Sequence, residues 1–155
     1  MPDRSSTPTG ASVAIITSAP GWRRLVPGTE SLARRAVHAA CRVAGEAAHV
    51  TVTLADDRAI RLLNATHRGK AKPTNVLSFP VMHGMGDVVV ALETVRREAR
   101  AEGKRAADHL AHLVAHGTLH LLGHDHLAAG EARRMERAES RAMAALRRPN
   151  PWKRA

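Results

Sequence analysis

The sequence predicts an α+β fold: a mixed four-stranded sheet with helices packed on it, and a metal site at the end of a central helix. Three observations lead there. Segments rich in β-branched residues, one of them cleanly alternating, gather in the first two-thirds of the chain. Segments with apolar residues at helical spacing lie towards both ends. At 155 residues, with no segment repeating at a fixed period, the chain has the length of one domain with a real core.

Taken in order, Ala11 to Thr17 reads as a first strand. Ser18 to Gly28, with two prolines and two glycines, reads as a connection. Thr29 or Ser31 can cap a helix that runs to about Ala44, with Leu32, Ala36, Val37, Ala40 and Val43 on its apolar side, before Gly45 stops it. His49 to Leu54 alternates cleanly and is the clearest strand. Asp56 caps a helix through about Thr66, with Ile60 and Leu63 facing inward, and His67 to Asn75 follows as a basic loop. Val76 to Pro80 and Asp87 to Leu92 are two further strands, joined by Val81 to Gly86. A helix covers about Glu93 to Ala101, Gly103 breaks it, and a histidine-rich helix runs from about Ala106 to Leu122. The last helix, Glu131 to Leu146, turns Met135, Ala138, Ala142, Met143 and Leu146 inward. Residues 11–147 thus form one domain between a polar tail, 1–10, and a basic, proline-broken tail, 148–155, expected to be solvated.

Composition narrows the function. No apolar run approaches the ~20 residues of a membrane span, and Met1 to Gly10 lacks the apolar block of a signal peptide. The one cysteine, Cys41, rules out a disulfide framework and fits a small buried residue. Together these point to a cytoplasmic protein. Lys and Arg number 24 against 14 Asp and Glu, a net charge of +10 that suits a polyanion. Aromatics are limited to Trp22, Phe79 and Trp152, so a nucleic acid would be held through phosphates and shape rather than stacked bases.

The chemistry gathers in His116-Gly-Thr-Leu-His-Leu-Leu-Gly-His-Asp-His126. His116 and His120 are four apart and share a helix face. Gly123 ends the helix, and a reversal there brings His126 back to the two rings. Three imidazoles with a fourth position left to water describe a catalytic zinc site, one Zn2+ per chain. On the helical wheel Leu110, Leu113, Val114, Gly117 and Leu121 form a core stripe, and His109, His112, His116 and His120 form a second stripe lining a cleft. The zinc-protease signature carries a glutamate directly after its first histidine; here that position is Gly117, so peptide hydrolysis by that route lacks its base.

The pattern resembles instead the His-Gly-x-Leu-His-Leu-x-Gly-x-Asp-His signature of the YbeY family, metal-dependent bacterial endoribonucleases that act in ribosomal RNA maturation. His124 stands where tyrosine is usual. A second stretch, Leu62 to Pro80, is similar to that family's Leu-Asn, aromatic, Arg-Gly-Lys and Pro-Thr-Asn-Val-Leu-Ser-Phe-Pro run, with His67 in the aromatic's place. Gly86 to Val90 resembles its Gly-Asp-Ile strand. The likeness covers about residues 48–146 and implies a zinc-dependent single-strand endoribonuclease that acts on ribosomal RNA and ribosomal particles.

Roles follow from residue chemistry and this likeness together. His116, His120 and His126 would hold zinc, whose water would reach a pKa near neutrality. Arg68 is the catalytic candidate: its guanidinium forks onto phosphate oxygens, and it aligns with the functional arginine of the family motif. Lys70 and Lys72 are further RNA contacts. His112 can orient a ligand through that ligand's other ring nitrogen, and His109 reads as a cleft wall. Asp125 can orient a histidine or accept a proton, and Asp87 reads as a turn residue. Two alternatives differ in class: a metallohydrolase of a non-RNA substrate, and a noncatalytic RNA-binding ribosome-assembly factor with a structural metal.

Overall fold

A computed structural model describes residues 10–68, 74–124 and 129–152. The strands are β1 (Ser12–Thr17), β2 (His49–Ala55), β3 (Val76–Met82) and β4 (Met85–Ala91). The helices are α1 (Gly21–Leu25), α2 (Thr29–Ala44), α3 (Asp57–Arg68), α4 (Leu92–Glu102), α5 (Ala106–Leu121) and α6 (Ala129–Ala145). The four strands form one mixed sheet in the order β1-β2-β4-β3, as the α+β reading expected. β1, β2 and β4 run parallel, with Ile15 opposite Val52 and Val52 opposite Val88, while β3 runs antiparallel to β4.

Strand alternation separates two cores. Val50, Val52, Leu54, Val88 and Val90 are buried with Leu110, Val114 and Leu121 of α5 and Leu32, Val37 and Cys41 of α2. On the opposite side Leu77 and Val89 pack with Ile60 of α3. A third cluster is built largely of alanines, Ala39, Ala40, Ala115, Ala138 and Ala142, with Leu119 and Met135. Small side chains there let α2, α5 and α6 approach closely. Helix α5 is consequently buried along nearly its whole length, including Leu119, which falls outside its two stripes, and the capping Leu122 is buried as well. Cys41 is a free, buried thiol, as its place on α2 suggested.

Several local expectations change. The connection Ser18 to Gly28 contains a turn of helix, α1, anchored by buried Trp22, whose indole N–H donates to the Ala55 carbonyl at 2.8 Å. Neither Thr29 nor Ser31 caps α2. Gly28 holds the cap position with φ 75°, and the Thr29 hydroxyl is buried without a hydrogen-bond partner. The strands of the hairpin run further than expected, to Met82 and from Met85, so only His83 and Gly84 turn the chain. Asp87 therefore lies within β4, opposite Phe79, and is not a turn residue. α3 continues to Arg68, past its expected end at Thr66, so His67 and Arg68 belong to the helix rather than to the loop expected over His67 to Asn75. The C-terminal segment is tied down as far as residue 152. Arg148 donates to Asp108 at 2.6 Å, and Asn150 Oδ1 accepts from both Ser140 Oγ and the Trp152 N–H at 2.9 Å. A proline-broken tail has no ladder of its own, but its polar groups find partners on α5 and α6.

Asp56 caps α3 as expected, its Oδ1 accepting the Ala59 N–H at 2.8 Å. A second device joins α3 to α4. Asp57 accepts the Thr94 N–H at 3.0 Å and the Thr94 hydroxyl at 2.8 Å, while Glu93 accepts the Asp57 N–H at 2.9 Å. Each helix thus lends a carboxylate to the other's orphan donors. Replacing Asp57 by Ala strands two of these donors, and a loss of about 1–2 kcal/mol in a urea unfolding curve is expected. An unchanged midpoint would show that water serves those groups as well.

Candidate metal centre

The row of histidines on α5 is divided by its partners. His109 is buried, and its Nε2 lies 2.9 Å from Glu98 Oε1 of α4. The same Glu98 oxygen accepts from Asn75 Nδ2 at 3.0 Å. His109 is therefore not a cleft wall but part of a polar bridge from α5 through α4 to the residue before β3. A second bridge runs from Ser78 Oγ of β3 to the Gly117 carbonyl at 3.2 Å. These two bridges bring Asn75 and Ser78 onto the histidine helix, although some forty residues separate Ser78 from Gly117 in sequence.

One turn on, His112 Nε2 bonds Oε1 of Glu139, a carboxylate of α6 that is only 1% exposed. The other oxygen, Oε2, faces His116 Nδ1 at 3.4 Å, the separation of an ion pair rather than of an aligned hydrogen bond. Burial by itself raises the Glu139 carboxyl. The hydrogen bond from His112, with the polar approach and positive charge of His116, outweighs it and holds the pKa at about 2. Glu139 thus orients His116 by its Nδ1, so that Nε2 is the nitrogen suited to an ion. Trp152 meets the far side of this group, its ring 5.6 Å from His112 and edge-on.

His116 and His120 lie together, ring centroids 4.6 Å apart and nearly perpendicular. Both are partly exposed, unlike His109 and His112, so only this end of the histidine row is open. Their helix ends as the sequence implied. Gly123 takes φ 90°, and the His124 N–H returns to the Leu119 carbonyl at 3.0 Å, closing the helix. His126 and Asp125 lie outside the described residues, as do Lys70 and Lys72. Arg68 is the last residue of α3, and its side chain lies outside what is described. Among the described residues no group of three metal-binding side chains converges. The donor set nonetheless fits a zinc ion: two imidazoles one helical turn apart, one of them backed by a buried carboxylate.

Gly117 explains why the second residue of the motif carries no base. A Cβ placed there would meet Val88 Cγ1 at 2.8 Å and Ser78 Oγ at 3.1 Å. The position faces the sheet, and a glutamate has no room. Glu139 was missed in the sequence reading, yet it left a signal. It lies four residues after Met135 and three before Ala142, so a carboxylate sits near the inner face of an otherwise apolar helix stripe.

A histidine pair on a buried helix, backed by a buried carboxylate and bridged to β3, defines a candidate metallohydrolase centre. Comparison with known proteins narrows the class. Residues 26–147 match the model of the family described as Endoribonuclease YbeY. The chain is 47% identical to the Endoribonuclease YbeY of Gluconobacter oxydans, over 92% of this chain and 89% of that protein. It is 45% identical to that of Azorhizobium caulinodans, over 90% and 95%. The solution structure of TM1509 from Thermotoga maritima superposes with a TM-score of 0.60 at 27% identity, covering 92% of this chain and 99% of that one. The chain belongs to the YbeY endoribonuclease family.

Two measurements test the Glu139 assignment. Glu139→Gln should keep the fold's outline but lose about 10–100-fold in metal affinity, read by competition with a chelator. A carboxyl whose folded pKa lies below its ordinary value stabilises the fold at pH above about 4.5 and loses that contribution as pH falls towards about 2. Metal-free protein should therefore lose stability through this window, and the Gln variant should lose less. Parallel acid-unfolding curves for the two proteins would remove Glu139 from this account.

Proposed function

We propose that this endoribonuclease cuts single-stranded segments of ribosomal RNA during maturation of the small ribosomal subunit, in the cytoplasm, using one Zn2+ per chain held by His116, His120 and His126. The observation that carries the reading is the buried Glu139 carboxylate turned towards His116 Nδ1. A charge so deeply placed needs a purpose, and orienting a ligating imidazole is one that the neighbouring His120 supports. No helix among the described residues is long and apolar enough to cross a membrane, which agrees with action on ribosomal particles.

When bound, zinc supplies Lewis acidity, lowering the pKa of a water molecule towards neutrality and polarising a phosphoryl oxygen. The chain's own groups do the rest. Arg68 would donate two N–H groups to the scissile phosphate and stabilise the charge that grows on it, which no neutral side chain could do. Lys70 and Lys72 would hold flanking phosphates, a task that needs charge but no fixed geometry. His112 and Glu139 keep the His116 ring from turning, and the His109–Glu98–Asn75 bridge ties the start of β3 to α5.

Changing both His116 and His120 to Ala should abolish tight zinc binding, measured by elemental analysis of the purified protein. Full occupancy in that variant would sink the metal assignment. Arg68→Ala should leave zinc content and thermal stability nearly unchanged and yet lower single-turnover RNA cleavage by ~10² or more. Arg68→Lys should recover only part of the rate, since a point charge does not fork across two oxygens. Wild-type cleavage by the Ala variant would place the phosphate elsewhere.

A further inference from the structure

Three helices end on a glycine in the left-handed conformation: α2 at Gly45, α4 at Gly103 and α5 at Gly123, with φ of 72°, 64° and 90°. α6 closes in the same way but without glycine. The Arg148 N–H returns to the Met143 carbonyl at 2.9 Å, and the Arg147 N–H to that of Ala144 at 2.9 Å. Arg147 occupies the left-handed position with φ 58°, the one non-glycine residue with positive φ among those described. An L side chain is strained there and glycine is not. The arginine is therefore held at a cost in backbone energy, which asks what its side chain does.

Arg147 lines a cavity of about 290 Å³ together with Arg35, His38, Ala39 and Arg42 of α2 and the end of α6. No carboxylate lines it. Among the described residues none of its three arginine side chains forms a hydrogen bond or ion pair. The Nδ1 of His38 is buried and has no hydrogen-bond partner. Burial, and then the charges of Arg34 and Arg42, push the imidazole below its ordinary pKa, the response of a ring among cations with no anion to offset them. Three unpaired cations around an orphan polar nitrogen repel one another unless an anion joins them.

We propose that this cavity is a second phosphate-binding site that grips the RNA backbone away from the histidine pair, with Arg35, Arg42 and Arg147 as its cationic walls and His38 as a hydrogen-bonding partner. It lies at the C-terminal end of α6, about 10 Å along that helix from Glu139. RNA bound at the metal centre would have to continue along α6 to reach it, so only long substrates would feel both sites. The choice of RNA as ligand rests on the endoribonuclease reading; the cavity and its charges do not.

Arg147→Gly removes the charge and relieves the backbone at once, which separates binding from folding. The variant should melt at the same temperature as wild type or higher. In fluorescence anisotropy its affinity for a long single-stranded RNA should fall several-fold, and the log–log salt slope should become shallower by about one. Affinity for a short RNA and the single-turnover cleavage rate at saturating substrate should not change, whereas failure of the metal-centre reading would show as lost cleavage in wild type itself. Inorganic phosphate should shift the His38 ring resonances in NMR spectra of wild type and less so in the variant. The Arg35→Ala, Arg42→Ala double variant should lose long-RNA affinity in the same way. Unchanged long-RNA affinity and salt slope in both variants, or His38 resonances indifferent to phosphate, overturns the proposal.

Discussion

The Glu139 carboxylate, almost fully withdrawn from water between His112 and His116, is the constraint on which the arrangement of α5 and α6 depends. A buried carboxylate without partners would cost several kcal/mol, so the two helices must keep the register that pairs it. Alanines make that register reachable. Ala115 on α5 and Ala138 and Ala142 on α6 leave the backbones close enough for one glutamate side chain to span the gap. The same contact orients the His116 ring and, through Trp152 against His112, receives the C-terminal segment. Packing and site chemistry are here one interaction.

The sheet supplies the second requirement, bringing distant parts of the chain to α5. Because β4 lies between β2 and β3, the Ser78 hydroxyl on β3 reaches the Gly117 carbonyl, and Val88 on β4 closes the space beside Gly117. Asn75, Glu98 and His109 then tie the entry to β3 to the first half of the helix. Two motifs that are separate in sequence become neighbours through these few polar contacts. The residue types in them are set by close approach and hydrogen bonding as much as by catalysis.

Charge is distributed with the same economy. Asp57, Glu93, Glu98, Asp108 and Glu139 all serve internal contacts, whereas many arginines, those of α2 and α6 among them, are exposed. The outward face is more basic than the net charge of +10 conveys. For a protein that handles a polyanion, engaging acids in contacts between elements while arginines stay exposed is an effective way to strengthen the surface field.

The sequence alone determined the features that depend on local periodicity and short spacing. The alternation of His49 to Leu54, the apolar stripe of α5, the Asp56 cap and the Gly123 stop are each decided by neighbours within a few residues, and each is where the sequence placed it. The likeness of two motifs to the YbeY family was legible for the same reason, since both are continuous in the chain. What only the tertiary structure decided are the contacts between elements. Glu139 behind His116, His109 turned away to Glu98, the exchanged carboxylates of Asp57 and Glu93, and the arginine cavity between α2 and α6 all join residues from different elements. Periodicity tells which face of an element is buried but not which residue it meets there, because that depends on strand order and helix crossing.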